Sequence, residues 1–258
     1  MMRRWWCGCL ALAMALLSFM ASADVRVQVS GAVARPGEQR VAEGSRLAVA
    51  ALAAQPRDDA YPLGAAVLRP ALEPAQRALK AGLLFDLDAL TSAPGVSPTV
   101  VLRARQLRDW IARMPVTGRL RADLQPRRLE SDSGSNRVLA EGDHLVYPLR
   151  PEQVRVVGAV MSPCALPHVA LRDAVRYLRD CTLDRGAADP DILWVVQPDG
   201  QVQRLGIGSW NRSQAQALAP GAVLYVPLDD AVVSGVAPDL NESLAGFLAT
   251  QLLPAVAP

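Results

Sequence analysis

The sequence predicts an α+β chain in which one small unit of strands and a helix occurs twice, the first copy interrupted by a helical insertion. Three observations carry this. Residues 27–33, Val-Gln-Val-Ser-Gly-Ala-Val, recur as residues 154–160, Val-Arg-Val-Val-Gly-Ala-Val, and each block meets a proline at the same offset, Pro36 and Pro163. The two copies also close alike: residues 139–149, Leu-Ala-Glu-Gly-Asp-His-Leu-Val-Tyr-Pro-Leu, and residues 218–228, Leu-Ala-Pro-Gly-Ala-Val-Leu-Tyr-Val-Pro-Leu, share six of eleven positions without a gap. Finally, Gly31 to Gly142 spans 111 positions and Gly158 to Gly221 spans 63, so the first copy carries about 48 extra residues.

Each element follows from local chemistry. Residues 1–23 combine Arg3 and Arg4, an apolar run from Trp5 to Met20 and the small residues Ala21-Ser22-Ala23. That is the pattern of a cleaved export signal, and the apolar run is short for a bilayer-spanning helix. Val25–Val29 alternates apolar and polar residues as a half-buried strand does, and Val154–Val157 does so less cleanly. Arg35-Pro36-Gly37 and Ser162-Pro163 supply turns. Leu47, Ala50, Ala51 and Ala54 match Leu171, Ala174, Val175 and Leu178, and each set falls on one helical face. Asp191–Gln197 and Gln201–Leu205 flank Pro198-Asp199-Gly200, a hairpin signal. A small mixed sheet crossed by one helix is a β-grasp arrangement, although this spacing also suits other α+β folds.

The insertion, about residues 65–115, reads as two helices. Pro74 is tolerated in the first turn of one, whose stripe is Leu79, Leu83, Leu87 and Leu90. Ser97 caps the other, whose stripe is Val100, Ala104, Leu107, Ile111 and Met114, with Pro115 as its stop. The two stripes are expected to bury against each other. Near the C-terminus, Asp239 and Glu242 open an amphipathic helix over residues 238–254, striped by Leu240, Leu244, Phe247, Leu248 and Leu252. At about 14 residues, roughly 21 Å, it is too short to cross a hydrocarbon core of about 30 Å. Docking on its own domains or on a partner protein are both open. The domain plan is therefore a signal peptide at 1–23, a first unit at 24–150, a second at 151–230, and the terminal helix.

Composition narrows the chemistry. Apolar residues make up 51% and charged residues 20%, a packed globular balance rather than a disordered one. Without Arg3 and Arg4, 25 basic residues face 25 acidic ones, so no electrostatic footprint for nucleic acid exists. Two histidines and four cysteines are thin material for a metal site or a Ser-His-Asp relay, and no cofactor motif is present. Removal of the signal leaves Cys164 and Cys181. An even pair in an exported protein is a disulfide candidate.

These motifs bear a resemblance. Val27-x-Val29-x-Gly31-x-Val33 with Pro36-Gly37, and Gly142-Asp143 leading into Tyr147-Pro148, resemble an SLBB β-grasp domain of outer-membrane polysaccharide export proteins. Gly158-Ala159-Val160 with Pro163-Cys164, Asp189-Pro190-Asp191, Gln197-Pro198-Asp199-Gly200, Trp210-Asn211, Pro220-Gly221-Ala222 and, after the insertion, Pro115 to Arg119 are similar to the capsule-biosynthesis GfcC family. The resemblance implies a soluble periplasmic protein of two tandem β-grasp domains, a helical hairpin in the first and an amphipathic C-terminal helix. It implies association with export or assembly of extracellular polysaccharide, with no established catalytic activity. Cys164 stands where the first copy has Gly37, so the two turns there should differ.

Candidate site residues are few. The Arg119 guanidinium, beside Thr117, suits a carboxylate or phosphate, including an acidic polysaccharide; a structural salt bridge is its plainer reading. Trp110 and Trp210 could stack on sugar rings, with Asn211 beside Trp210, though a tryptophan packed in the core is the commoner arrangement. His144 and His168 fall in different copies and read as surface residues. Asp189 and Asp191 could pass for a carboxylate pair but read as turn residues. The expected function is a non-enzymatic periplasmic accessory of capsule or exopolysaccharide export, meeting envelope export proteins, with at most peripheral membrane contact. An oligomeric subunit of an export channel is the alternative, and a polysaccharide-modifying enzyme has no motif behind it.

Overall fold

The computed structural model describes residues 24–253; the expected signal peptide, residues 1–23, lies outside them. Valines at alternate positions make β1 (Asp24–Gly31) a strand with one buried face, Val27 and Val29 inward and Arg26 and Gln28 outward. It turns back into β2 (Gly37–Ala42), and then α1 (Leu47–Ala54) covers the buried face with Leu47, Ala50, Ala51 and Ala54. After β3 (Ala66–Leu68) the chain leaves the sheet for the two inserted helices, α2 (Glu73–Ser92) and α3 (Pro98–Arg113). It returns as β4 (Arg119–Leu120), makes a short α4 (Pro126–Ser131) and ends the unit on β5 (His144–Tyr147).

The second unit repeats this plan. β6 (Gln153–Gly158) and β7 (Cys164–Pro167) form the hairpin, α5 (Ala174–Leu178) is the crossing helix, and β8 (Ile192–Val196), β9 (Val202–Gly206) and β10 (Val223–Val226) complete the sheet. The strand orders are β2-β1-β5-β3-β4 and β7-β6-β10-β8-β9, the same order in both copies. In each, the first and last strands run parallel, Val29 beside Leu145 and Val156 beside Leu224, and the other pairs are antiparallel. The molecule is thus α+β, with two five-stranded mixed sheets. The repeated glycine at the end of the first strand has a steric reason. A Cβ on Gly31 would meet the Tyr147 carbonyl oxygen at 2.0 Å, and one on Gly158 would meet that of Val226 at 2.1 Å.

The repeat corrects the helix alignment expected from sequence. The strand offset of 127, Gly31 to Gly158, continues through the helices: Leu47 N donates to Arg137 O where Ala174 N donates to Gln216 O. Leu47 therefore matches Ala174, and Leu171 matches Gly44. Leu171 precedes the helix, is 91% exposed and has φ +59°; Gly44 has φ +82° in the equivalent turn. Apolar spacing alone had placed Leu171 on the helical stripe. The expected difference near Pro36 and Pro163 is present: Gly37 has φ +111°, whereas Cys164 begins β7 without a positive φ.

The inserted helices also pack differently from expectation. Their stripes meet each other, but Leu83, Leu87, Leu90, Val100, Ala104, Leu107 and Ile111 belong to the same apolar core as the second sheet. β8 shows why. Its sequence Ile-Leu-Trp-Val-Val is apolar throughout and every residue is buried, so both faces need cover. α5 lies over one face, and α7 (Leu240–Ala249), with α2 against it, lies over the other. The short α6 (Asp230–Val233) leads into α7. Each fully buried leucine in this layer contributes about 2 kcal/mol from area alone. A buried ion pair, Arg103 of α3 with Asp184, joins the insertion to a loop of the second unit. Ser97 caps α3 by accepting from Val100 N at 3.3 Å. Asp239 stands at the N-cap of α7 without a capping hydrogen bond from its side chain.

The terminal helix therefore docks in cis, burying Leu240, Leu244, Phe247 and Leu248. It is shorter than the stripe suggested, ending at Ala249, and residues 250–253 turn aside into the junction described next. Cys164 and Cys181 form a disulfide with Cα atoms 6.0 Å apart, tying edge strand β7 to the end of α5. Among the described residues no helix is long and apolar enough to cross a membrane.

Candidate functional site

The segment after the insertion, Pro115 to Arg119, enters a junction between the two sheets. Gly118 N donates to Gln76 Oε1 at 2.8 Å, and Gln76 Nε2 donates to Arg119 O at 3.1 Å, so α2 fixes the backbone there. Thr117 Oγ1 donates to Thr250 O at 2.7 Å and accepts from Arg119 N at 3.1 Å. Arg119 reaches across the junction. Its Nη1 donates to Gln251 O at 2.8 Å and Ala249 O at 3.3 Å, and its Nη2 donates to Pro198 O in the β8–β9 turn. A cation at the last carbonyls of α7 meets the negative end of the helix dipole. This explains where α7 stops.

Arg119 is therefore a buried clasp rather than a solvent-facing anion receptor, at 9% exposure. Burial lowers its pKa from the ordinary arginine value, and Asp199 opposes that shift. Its Nε is buried without a partner, as is the Tyr61 hydroxyl. Burial pushes the Tyr61 phenol up to about 12, with Arg150 over the ring opposing it. On the rim, Arg121 faces Asp199 at 3.7 Å.

The other candidates scatter. Trp110 is half-buried on α3 and packs against the second core. Trp210 departs from the packed reading and is 77% exposed, in the loop after β9. Asn211 holds that loop, its Nδ2 donating to Asp191 O at 3.1 Å, while its Oδ1 is buried without a partner. Thus Arg119 and Thr117 lie together, Trp210 and Asn211 lie together elsewhere, and Trp110 joins neither pair. His144 is half-buried, 2.7 Å from Ser30 Oγ, and burial lowers its pKa. His168 Nε2 lies 2.9 Å from Leu218 O. Asp189 is a turn residue, accepting from the backbone N–H groups of Asp191, Ile192 and Asp230.

Sequence reasoning missed two buried polar anchors. Asp143, fully buried, accepts two hydrogen bonds from Arg69, at 2.9 and 2.7 Å, and one from Ala140 N. That hydrogen bonding raises the Arg69 pKa. Asn241 Oδ1 accepts from Tyr225 OH at 2.9 Å and from Leu228 N, while its Nδ2 donates to Leu228 O. Its signal was a lone amide inside an apolar stripe. Asn241 borders a cavity of about 140 Å³ with Trp194, Arg204, Asp230 and Glu242. Trp194 and Arg204 are direct cross-strand partners. The side chains converge there, yet Arg204 forms no ion pair among the described residues.

The architecture defines a class: two like α+β units joined by a shared helical layer and a C-terminal clasp. Residues 162–253 match the family model described as Capsule biosynthesis GfcC C-terminal. The chain is 33% identical over 148 residues to the Uncharacterized protein YjbG of Escherichia coli (strain K12), a match covering 57% of this chain and 59% of that relative. Residues 162–253 are thus similar to the capsule-biosynthesis GfcC family, and the match spans less than two thirds of that relative's length. The matched 162–253 region includes β7 to β10, the disulfide and α7, and so contains the partners that Arg119 clasps.

Proposed function

We propose that this protein is a non-enzymatic periplasmic accessory of capsule or exopolysaccharide assembly or export, acting by protein or glycan binding. The similarity of residues 162–253 to the Capsule biosynthesis GfcC C-terminal model carries the reading. In this reading the chain comprises a cleaved signal at 1–23, tandem SLBB-type β-grasp domains at 24–150 and 151–230, and the terminal helix. The shared strand order and the parallel pairing of first and last strands support the β-grasp assignment.

Arg119 and Thr117 act here as positioning residues that hold the two domains in one orientation. Trp210, like Phe85 on α2, is an exposed aromatic available to a sugar ring or a partner. Clean deletion of the gene, with polysaccharide measured at the surface and in the periplasm, tests the reading. Loss at the surface with polymer retained inside is expected; unchanged amounts in both places overturn it. Complementation with Trp210→Ala is expected to restore output incompletely while the melting temperature stays unchanged.

A further inference from the structure

The cavity beside Asn241 carries polar groups that the fold leaves unused. It lies where β8, β9 and the first turn of α7 meet, and its volume is about 140 Å³. An engineered cavity of about 150 Å³ holds one benzene ring, so this one has room for a single six-membered ring. Trp194, Ile192 and two prolines supply its apolar wall. Trp194 is 9% exposed, and among the described residues its indole N–H has no acceptor. Asn241 is buried as well. Its Oδ1 is filled by Tyr225 OH and Leu228 N, and its Nδ2 gives one hydrogen to Leu228 O, which leaves the second hydrogen free. Buried donors are normally paired.

The charges select the ligand. Asp189 is spent on three backbone N–H groups. Arg204, Asp230 and Glu242 enter no ion pair among the described residues. Three carboxylates against one guanidinium repel a carboxylate or phosphate ligand. The guanidinium opposes a cation in turn, and no cluster of acidic, histidine or cysteine residues suited to a metal ion occurs among the described residues. The ligand that fits is uncharged. It offers hydroxyls to the free donors and the free carboxylates, and an apolar flank to the indole and the prolines. A hexopyranose has all of these.

The Trp210 loop lies against the same wall. Ile192 and Gly206 are direct cross-strand partners, so they share the sheet face that carries Trp194 and Arg204. A Cβ on Gly206 would meet Asn211 O at 1.9 Å, which places the loop over Gly206 on that face. Asn211 Nδ2 and Ile207 N both donate to Asp191 O and brace it. Trp210, exposed and next to Asn211, is thereby held on the cavity's side of the sheet.

We propose that this cavity binds one uncharged pyranose unit of a glycan, with Trp210 stacking on the next unit. The inference rests on the glycan-binding reading above and names its site. It also selects a neutral sugar over the acidic one expected at Arg119.

The test is titration of the 15N-labelled mature chain with D-glucose, D-galactose and N-acetyl-D-glucosamine, against D-glucuronate. Once residues 1–23 are removed the tryptophans are Trp110, Trp194 and Trp210, and their indole N–H resonances are the readout. Movement of Trp194 is expected at millimolar sugar, the range for a ligand of about a dozen heavy atoms. D-glucuronate should move nothing, and Trp110 should stay still throughout. Arg204→Ala and Glu242→Gln, both at exposed residues, are expected to weaken binding about tenfold each with Tm nearly unchanged. Cellobiose and lactose are expected to bind several-fold tighter than their monosaccharides, a gain that Trp210→Ala removes and Phe85→Ala keeps. No movement of Trp194 with any neutral sugar, equal movement with D-glucuronate, or unchanged affinity in Arg204→Ala and Glu242→Gln would each overturn the proposal. A disaccharide that binds no tighter, or a gain that survives Trp210→Ala, would overturn the part given to the loop. These outcomes concern purified protein, whereas the capsule role stands or falls with the gene deletion, so the two failures separate.

Discussion

Replacing Leu171 by glycine should stabilise this protein, and replacing Gly44 by alanine should do the opposite. At Leu171 the left-handed backbone costs a non-glycine residue about 1–2 kcal/mol. Glycine removes that cost but makes the unfolded chain more flexible, which returns about 0.5–1 kcal/mol. The leucine is 91% exposed, so little buried area is lost; the remaining tenth of a leucine's burial is about 0.2 kcal/mol. The balance is a gain of about 0.5 kcal/mol, equivalent to 1–2 °C in Tm for a chain of this size. Gly44→Ala carries the left-handed penalty, partly offset by a less flexible unfolded chain, and open space around Gly44 means that no clash confuses the result. A loss of about 0.5–1 kcal/mol is expected there. Paired urea titrations and thermal melts of the two variants make the measurement. A Leu171→Gly protein less stable than wild type by 1 kcal/mol or more would refute the reasoning, as would a neutral Gly44→Ala.

Other outcomes follow from the same geometry. Arg119→Met should cost about 3 kcal/mol, because the Ala249, Gln251 and Pro198 carbonyls lose a charged donor; amide exchange of residues 240–253 should accelerate before that of β8. Changing both Cys164 and Cys181 to serine should cost about 3 kcal/mol from the reopened 17-residue loop, read by the urea midpoint under oxidising conditions. Arg103→Ala leaves Asp184 buried and unpaired and should cost about 3–5 kcal/mol, with Arg103→Met less damaging. His144 has a folded pKa below its ordinary value, so the unfolded chain binds its proton more readily. Its contribution to stability is therefore full above about pH 6.5 and declines as pH falls toward the lowered folded pKa; His144→Gln should flatten that slope in melts between pH 5 and 7.5.

The repeat was legible because its signals are local and covalent in origin. Alternating valines, a glycine forced by the Tyr147 and Val226 carbonyls, and turn prolines sit at fixed offsets in both copies. The helical insertion was legible as an excess of residues with stripes of period 3.6. Pairing of Cys164 with Cys181 was expected from the even number left once the predicted export signal is set aside. Only the tertiary structure decided what those stripes cover. A helical stripe states that one face is apolar, not which apolar surface it meets, and the stripes of α2 and α3 meet the second sheet as well as each other. The same limit applied to Leu171, whose spacing suited a helix until its backbone placed it in a turn. Arg119 was visible as a residue, but its clasp on Ala249, Gln251 and Pro198 joins positions 79 to 132 residues apart. Such carbonyl partners leave no mark on side-chain identity, because every residue carries one.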